Sequence, residues 1–155
     1  MSEPMLGNSM CVQVAVLVHD IEEASKNYAE FFGVEQPKII TTPSYEVTKD
    51  IYRGKPCKGN AKLAFFVMGN VRLELIEPSP EPSIWRECLD KDGEGFHHIA
   101  FLVEDTDGKV AKAEAFGMTK VQQGFMGNGG IYTYLDARDK LKIFIELLQP
   151  PAKKD

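Results

Sequence analysis

The chain is poor in positive charge and in long apolar runs, and each shortage excludes a class of protein. Its 18 lysines and arginines are outnumbered by 23 aspartates and glutamates, which gives a net charge of −5, whereas nucleic-acid binding usually shows a basic footprint. No apolar run approaches the ~20 residues of a membrane span, and the first residues lack the basic and apolar regions of a secretory leader. We therefore expect a cytoplasmic protein with neither nucleic acid nor membrane as a partner.

Thiol and phosphate-binding motifs are also scarce. Cys11, Cys57 and Cys88 are odd in number, far apart and without a CxxC pair, which predicts reduced thiols in a cytosolic protein. Residues 124–130 are rich in glycine, but they form neither a P-loop nor a dinucleotide fingerprint. We interpret them as an ordinary connecting loop.

An internal repeat is the strongest organisational feature of the chain. Residues 13–20 read QVAVLVHD and residues 98–105 read HIAFLVED; residues 73–78 read LELIEP and residues 145–150 read IELLQP. Each copy predicts a β-α-β-β-β module. A repeated unit that cannot bury its apolar face alone normally packs against its copy.

This repeat predicts an α+β fold in one domain over residues 1–155, which suits the length of the chain. Module one covers about 10–78, a proline-rich linker covers 79–94, and module two covers about 95–150. The hydrophobic content of 43% and the charged content of 26% are typical of a globular domain.

Capping and turn residues place the elements inside each module. Asp20 and Asp105 are predicted N-caps of two helices, and Gly33 and Gly117 are predicted to end them. A short helix is predicted within the linker at 84–89. The predicted strands are 11–18, 39–41, 45–52, 63–67, 71–76, 96–103, 131–135 and 141–148.

Alternation along four strands leaves one apolar face and one face with a single metal-competent side chain. These side chains are Gln13, Glu74, His98 and Glu146. Two buried carboxylates that face one cavity repel each other, and a divalent cation offsets both this repulsion and the cost of burial. Imidazole with carboxylate and amide oxygens suits zinc, nickel, cobalt or manganese. By the same alternation His97 points to the opposite face, and we interpret it as structural.

With these residues in place, the chain resembles the vicinal oxygen chelate superfamily, which includes glyoxalase I, methylmalonyl-CoA epimerase, extradiol dioxygenases and bleomycin-resistance proteins. The resemblance runs from about residue 12 to residue 149 and rests on the paired modules, on HHIAFLVED and on IELL beside LELIEP. It implies a cupped mixed sheet with the helices on the outside, and a homodimer. It also implies one divalent ion (zinc, nickel or cobalt), with the ligands Gln13, Glu74, His98 and Glu146.

Within that superfamily, GNVRLELIEPSPEPS at 69–83 and EGFHHIAF at 94–101 look most like methylmalonyl-CoA epimerase. This resemblance implies a metal-dependent isomerase that removes a proton next to the carbonyl of a thioester, with Glu146 as the base. An epimerase also needs a second acid/base across the cavity. The resemblance points to residues 45–53 for it, where Asp50 aligns slightly better than Glu46.

The ligand set leaves other activities open. Epimerases usually have histidine where this chain has Gln13, and the set Gln, Glu, His, Glu resembles the zinc ligands of some glyoxalase I enzymes. The alternative is therefore a lactoylglutathione lyase that acts on a hemithioacetal, although residues 136–140 lack the Asp-Pro-Asp-Gly of many members. Gln13 disfavours a dioxygenase, which needs two histidines around iron. A drug-binding protein of the resistance type is a further alternative, but it has no need of four ligand-type residues.

Overall fold

Ten strands form one mixed sheet in the computed structural model, which describes residues 4–154. Residues 1–3 and 155, which the predicted domain also covers, lie outside the described residues. The strands are β1 (Cys11–Leu17), β2 (Ile40–Thr41), β3 (Ile51–Tyr52), β4 (Lys55–Pro56), β5 (Ala61–Met68), β6 (Val71–Pro78), β7 (Gly95–Leu102), β8 (Thr119–Phe125), β9 (Ile131–Asp136) and β10 (Phe144–Gln149). The helices are α1 (Ile21–Phe32), α2 (Tyr45–Thr48), α3 (Ile84–Asp92), α4 (Thr106–Phe116) and α5 (Arg138–Leu141).

Two parallel strand pairs, joined by an antiparallel pair, form the centre of the sheet. The strand order is β2-β5-β6-β1-β7-β10-β9-β8-β3-β4. β1 runs parallel to β6, β7 runs parallel to β10, and β1 is antiparallel to β7. The two halves of the chain thus repeat one pattern on either side of the β1–β7 pair, and the predicted α+β fold with a mixed sheet is confirmed.

The two long helices, α1 and α4, pack on one face of the sheet. Ile21 of α1 shares a core with Leu75 of β6, and Val110 of α4 shares a second core with Ile145 of β10. Each core is made by the apolar side of the strands, as alternation predicts. The opposite face of the sheet is therefore left for the polar side chains.

The predicted ends of both helices are confirmed. The carboxylates of Asp20 and Asp105 each accept a backbone N–H of the first turn, at 3.0 Å and 2.9 Å. Gly33 and Gly117 end the helices with φ of 67° and 102°, a region that disfavours any residue with a Cβ. Within residues 4–154, no helix is long and apolar enough to cross a membrane.

The predicted helix between the modules is confirmed as α3, and it packs against side chains of the inner, polar face of the sheet. Its Trp85 and Leu89 are 4% and 2% exposed and share a core with Ala15, Ile76 and Phe144. These three partners lie two residues along their strands from the candidate metal ligands of β1, β6 and β10, and therefore on the same face. α3 thus fills one end of the concave side.

Residues 45–52 form one helical turn and a two-residue strand, so the prediction of a continuous strand was wrong. Two amides of α2 donate to the Ser44 carbonyl, and Lys49, at φ 45°, ends the turn. Serine is a favoured N-cap residue type, and the strand prediction overlooked this signal. β3 pairs with β8, so residues 42–50 cross from one end of the sheet towards the other.

The start of β10 and the end of β8 also differ from the prediction. Leu141 ends α5 and Lys142 reverses the chain at φ 68°, so β10 begins at Phe144. Gly124 belongs to β8, where it pairs with Tyr132, and not to the glycine-rich loop. β8 reads TKVQQGF, and its polar residues conceal the strand pattern.

We predict that Trp85→Ala lowers the free energy of unfolding by roughly 3–5 kcal/mol, because it leaves a cavity where α3 meets the sheet. Urea denaturation followed by circular dichroism measures this, since the substitution removes the one tryptophan. The control is Phe31→Ala, whose ring is 81% exposed and whose loss should cost no more than about 0.5 kcal/mol. Equal losses in the two variants would contradict the packing of α3 described above.

Candidate metal centre

Four central strands bring Gln13, Glu74, His98 and Glu146 to one point on the inner face of the sheet. All four side chains are buried, with exposed fractions of 3%, 5%, 0% and 4%. Ala15 of β1, two residues after Gln13, pairs with Glu74 of the parallel strand β6. In the same way Ala100 of β7, two residues after His98, pairs with Glu146 of the parallel strand β10. The repeated register therefore supplies one of these side chains from each of four adjacent strands.

The imidazole and the two carboxylates lie close enough to bind one ion together. His98 Nε2 is 3.0 Å from Glu146 Oε2 and 3.6 Å from Glu74 Oε2, and one ligand atom of each residue lies within 4.8 Å of the other two. Tetrahedral zinc, with bonds of ~2.0–2.1 Å, separates its ligand atoms by ~3.4 Å. The spacing of the three groups fits a divalent ion.

The bonding of His98 supports the same interpretation. Nε2 lies 3.0 Å from Glu146 Oε2, but this buried nitrogen makes no hydrogen bond of acceptable geometry. A buried nitrogen without a partner is costly. A cation between the imidazole and the two carboxylates would use its lone pair.

The electrostatics of Glu74 indicate how much the site disfavours two negative charges. Burial, and then the charge of Glu146, hold the pKa of Glu74 well above its ordinary value, although Arg72 and the hydrogen bond from Gln13 act in the opposite direction. A divalent ion would reverse this balance, because it stabilises both ionised carboxylates. The donor set therefore suits a cation better than an empty, protonated site.

The Gln13 amide links the cluster to the surface. Its Nε2 donates to Glu74 at 2.6 Å and to Glu146 at 3.3 Å, while its Oε1 accepts from Arg72 at 3.2 Å. Only the carbonyl oxygen of an amide binds a cation. Gln13 is thus next to the three other groups, and its amide would have to turn for it to become a ligand.

His97 also lies at this cluster, so the prediction that it points to the opposite face was wrong. Ala15 pairs with His98 and Val16 pairs with Phe96, which leaves His97 as the extra residue of a β-bulge. Its Nδ1 is 2.8 Å from His98 Nδ1. Burial holds the pKa of His97 well below its ordinary value, so the ring is neutral. Strict alternation cannot reveal a bulge, and the doubled histidine was the only signal in the sequence.

A cavity of about 360 Å³ lies next to the cluster, on the concave side of the sheet. Gln13, Glu74 and Glu146 form part of its wall, and the crossing segment 42–48 covers it from one side. Most of the remaining wall is apolar or aromatic. Arg72 is the one cationic side chain among the described residues that line it, so the cavity suits a mainly apolar ligand with a negative group at its rim.

Asp50 lies near this cavity but behind Tyr132. Its Oδ2 accepts from the Tyr132 hydroxyl at 2.8 Å and from the Gln122 amide at 2.7 Å, and its side chain is 1% exposed. Burial raises the pKa of Asp50 to about 6 despite these hydrogen bonds. Tyr132 lines the cavity, whereas Asp50 does not. Glu46 lies on the exposed side of α2, where it accepts from the Ser44 hydroxyl at 2.6 Å.

The chain is similar to several known protein sequences. The model of the glyoxalase/bleomycin resistance protein/dioxygenase superfamily matches residues 12–134. The uncharacterized protein YqjC of Bacillus subtilis is 35% identical over 57% of this chain and 64% of that protein. The mitochondrial methylmalonyl-CoA epimerase of Mus musculus is 26% identical over 63% of this chain and 47% of that protein. An ethylmalonyl-CoA/methylmalonyl-CoA epimerase of Cereibacter sphaeroides is 30% identical over 59% of each. The matches thus span between about half and two thirds of these relatives.

Solved structures resemble the fold over almost its full length. A Streptomyces coelicolor methylmalonyl-CoA epimerase in complex with 2-nitronate-propionyl-CoA superposes with a TM-score of 0.66, at 23% identity, over 95% of this chain and 98% of that chain. A hypothetical protein of Bacillus halodurans gives a TM-score of 0.66 at 19% identity, over 94% and 97%. At these identities the likeness establishes the shared α+β fold.

We predict that Asp50→Asn changes the stability of the protein in a pH-dependent way. The folded pKa of about 6 lies above the unfolded value of ~3.9, so the folded chain binds a proton between pH ~4 and ~6 that the unfolded chain releases. The wild type should therefore lose roughly 3 kcal/mol relative to the variant as the pH rises through this window, and nothing further above it. Urea titrations at pH 4, 5, 6 and 7 measure the difference. A constant difference would show that the carboxyl titrates normally.

Proposed function

This chain belongs to the glyoxalase/bleomycin resistance protein/dioxygenase superfamily, and we propose that it is a metal-dependent isomerase that removes a proton next to the carbonyl of a thioester, most like methylmalonyl-CoA epimerase. The buried Glu74–His98–Glu146 cluster beside a cavity is the observation that carries the proposal. Two sequence relatives are named as epimerases of this kind, and the Streptomyces structure binds a CoA thioester analogue. We propose likewise that residues 1–155 act as one vicinal oxygen chelate domain, and as a cytoplasmic homodimer.

The proposed cofactor is one divalent ion: zinc, nickel or cobalt. Glu74, His98 and Glu146 would be its ligands, and Gln13 would join them once its carbonyl turns inward. When bound, the ion supplies Lewis-acid polarisation of a substrate carbonyl, which makes the neighbouring C–H acidic. The two buried carboxylates and the unpartnered His98 nitrogen support this donor set.

Glu146 is the base in this proposal. It lines the cavity, and its carboxylate is 3.3 Å from Gln13 Nε2, whereas that of Glu74 is 2.6 Å from the same nitrogen. The longer distance means that Gln13 holds the Glu146 carboxylate less tightly than that of Glu74, and this supports the assignment of Glu146 as the base. It would take the substrate proton on an oxygen that faces the cavity.

Epimerisation needs a second proton donor on the opposite side of the substrate, and we assign this role to Asp50 acting through Tyr132. Tyr132 lines the cavity, and its hydroxyl donates to Asp50. For this, the Tyr132 hydroxyl would have to turn its hydrogen from Asp50 to the substrate carbon. The phenolic oxygen would then accept a proton from protonated Asp50, which would become a carboxylate. A carboxyl with a pKa of about 6 is suited to this exchange near neutral pH.

A lactoylglutathione lyase activity is the second candidate, and one observation favours it. Asp50 does not line the cavity, whereas the lyase reaction needs only one carboxylate, because the proton returns to the adjacent carbon. The set Gln13, Glu74, His98 and Glu146 is also the one that resembles some glyoxalase I enzymes. Both candidates therefore share Glu146 as base and differ in the second proton donor.

Both candidates can be tested by solvent-deuterium exchange at the substrate carbon. We expect the zinc-, nickel- or cobalt-loaded protein to exchange this proton in methylmalonyl-CoA, and a chelator to stop the exchange. Glu146→Gln, at saturating metal, should lower the exchange rate by at least about 100-fold, because it removes the base. Glu77→Gln is the control, since Glu77 lies on β6 outside the cavity and pairs with Lys62.

The possible results separate the candidates. Exchange in the methylglyoxal–glutathione hemithioacetal alone would replace the epimerase with the lyase. Full exchange by Glu146→Gln with bound metal would exclude Glu146 as the base. Exchange in neither substrate would exclude both activities, and failure to bind a stoichiometric divalent ion would favour the drug-binding alternative.

Arg72 is expected to bind a negative group of the substrate at the rim of the cavity. Its guanidinium lies 4.7 Å from the Phe65 ring and is exposed to the cavity side. We predict that Arg72→Ala raises KM roughly tenfold, as expected for one lost charge-assisted hydrogen bond, and that any change in kcat reflects the lost hydrogen bond to Gln13. Lys62→Ala, which removes a cation outside the cavity, should leave KM unchanged. Equal KM values in the two variants would exclude Arg72 from substrate binding.

A further inference from the structure

We propose that His97 is a positioning residue that sets the tautomer of His98 and so increases the affinity of the centre for a divalent ion. This inference rests on the metal site of the proposed function. It adds a residue outside the four candidate ligands, and it assigns a purpose to the bulge in β7.

The bulge places two imidazoles edge to face. The ring planes of His97 and His98 are inclined by 81°, with their centroids 5.1 Å apart. The two Nδ1 atoms are 2.8 Å apart, which is a normal hydrogen-bond distance. Without the extra residue, regular alternation would direct the two side chains to opposite faces of the sheet, and this contact could not form.

One proton lies between the two Nδ1 atoms, and the ring that carries it determines whether His98 Nε2 can bind a cation. If His98 Nδ1 carries the proton and His97 Nδ1 accepts, His98 Nε2 has a free lone pair directed at the site of Glu74 and Glu146. If His97 donates instead, His98 Nε2 carries a hydrogen and cannot bind a cation. Metal-binding histidines usually donate their other N–H to a neighbouring acceptor, which fixes the tautomer and the ring orientation.

His97 is the acceptor that the site provides for this purpose. Among residues 4–154, it makes the one hydrogen bond that His98 Nδ1 has. Acceptors beside such histidines are more often carboxylates or carbonyls, and each of these accepts without a choice of tautomer. His97 accepts in the tautomer that carries its proton on Nε2, a buried nitrogen without a hydrogen-bond partner among the described residues. As a neutral ring it adds no negative charge to a site that already holds two carboxylates.

The surroundings keep the His97 ring in place. It stacks on the Phe144 ring at a centroid distance of 5.0 Å and an angle of 18°, and it meets Tyr134 edge-on at 5.9 Å. The Arg138 guanidinium lies 4.7 Å from the same Phe144 ring. His97 is only 4% exposed, so these packing contacts restrict its ring and favour the position in which its Nδ1 meets His98.

Two substitutions of His97 by side chains of similar size separate the effect of the hydrogen bond on metal affinity from the effect of packing. Asparagine and leucine both remove the His97 ring, but the Oδ1 of asparagine can accept a hydrogen bond in the place of Nδ1. We expect His97→Leu to weaken zinc and cobalt binding by about 10- to 100-fold, the usual effect of losing a partner of a metal-binding histidine. His97→Asn should retain affinity within about threefold of wild type, since an acceptor remains. Competition with a chromophoric chelator at pH 7 measures both affinities without any assay of activity.

Further measurements keep the inference falsifiable. If His97→Leu does not fold, His97→Phe keeps a ring on Phe144 without an acceptor, and it should lose as much affinity as His97→Leu. Equal losses in His97→Leu and His97→Asn, or wild-type affinity in all the variants, would overturn the inference. If the wild-type protein itself binds neither ion, the proposed metal site fails and His97 has no role there. Wild-type binding with unaltered affinity in His97→Leu would remove the role of His97 and leave the proposed function intact.

Discussion

The repulsion between Glu74 and Glu146 is the constraint on which the rest of the centre depends. Two carboxylates buried within reach of one imidazole are costly unless a positive charge or protons compensate them. The structure keeps them together because the parallel strand pairs β1–β6 and β7–β10 give both glutamates the same register. Gln13 donates to both, and Arg72 is placed behind it. Gln13 and Arg72 thus compensate part of the negative charge of the pair.

Duplication explains the position of the site but not its chemistry. The two halves supply equivalent positions, and these positions carry different side chains: an amide on β1 and an imidazole on β7. The β7 strand also carries a bulge beside its imidazole, which brings in His97 as a fifth polar neighbour. A symmetrical framework therefore bears an asymmetrical cluster. One half supplies an imidazole, and the other supplies an amide whose oxygen accepts a hydrogen bond from the Arg72 guanidinium.

Periodic signals predicted much of this molecule, and local exceptions account for the rest. The caps at Asp20 and Asp105 were predictable because a cap acts through a hydrogen bond within its own turn. Alternation was sufficient to select the four side chains that the structure brings together. It failed at His97, because an extra residue in one strand leaves no trace in the pattern of polar and apolar residues. It also missed β8, in which the polar Gln122 is buried by tertiary contacts that the local sequence does not reveal.

The segment between β2 and β3 has a geometric consequence for the whole sheet. These two strands are first and ninth in the strand order, and eight intervals of ~4.8 Å would separate them by ~38 Å if the sheet were flat. Only ten residue steps connect residue 41 to residue 51, and with α2 inside the connection they reach no more than ~26 Å. The covalent chain is too short for a flat sheet. The connection from β2 to β3 therefore requires the sheet to curve, and its length sets an upper limit on the width of the opening of the cavity. Lengthening this connection is the simplest way in which a related chain would admit a larger ligand.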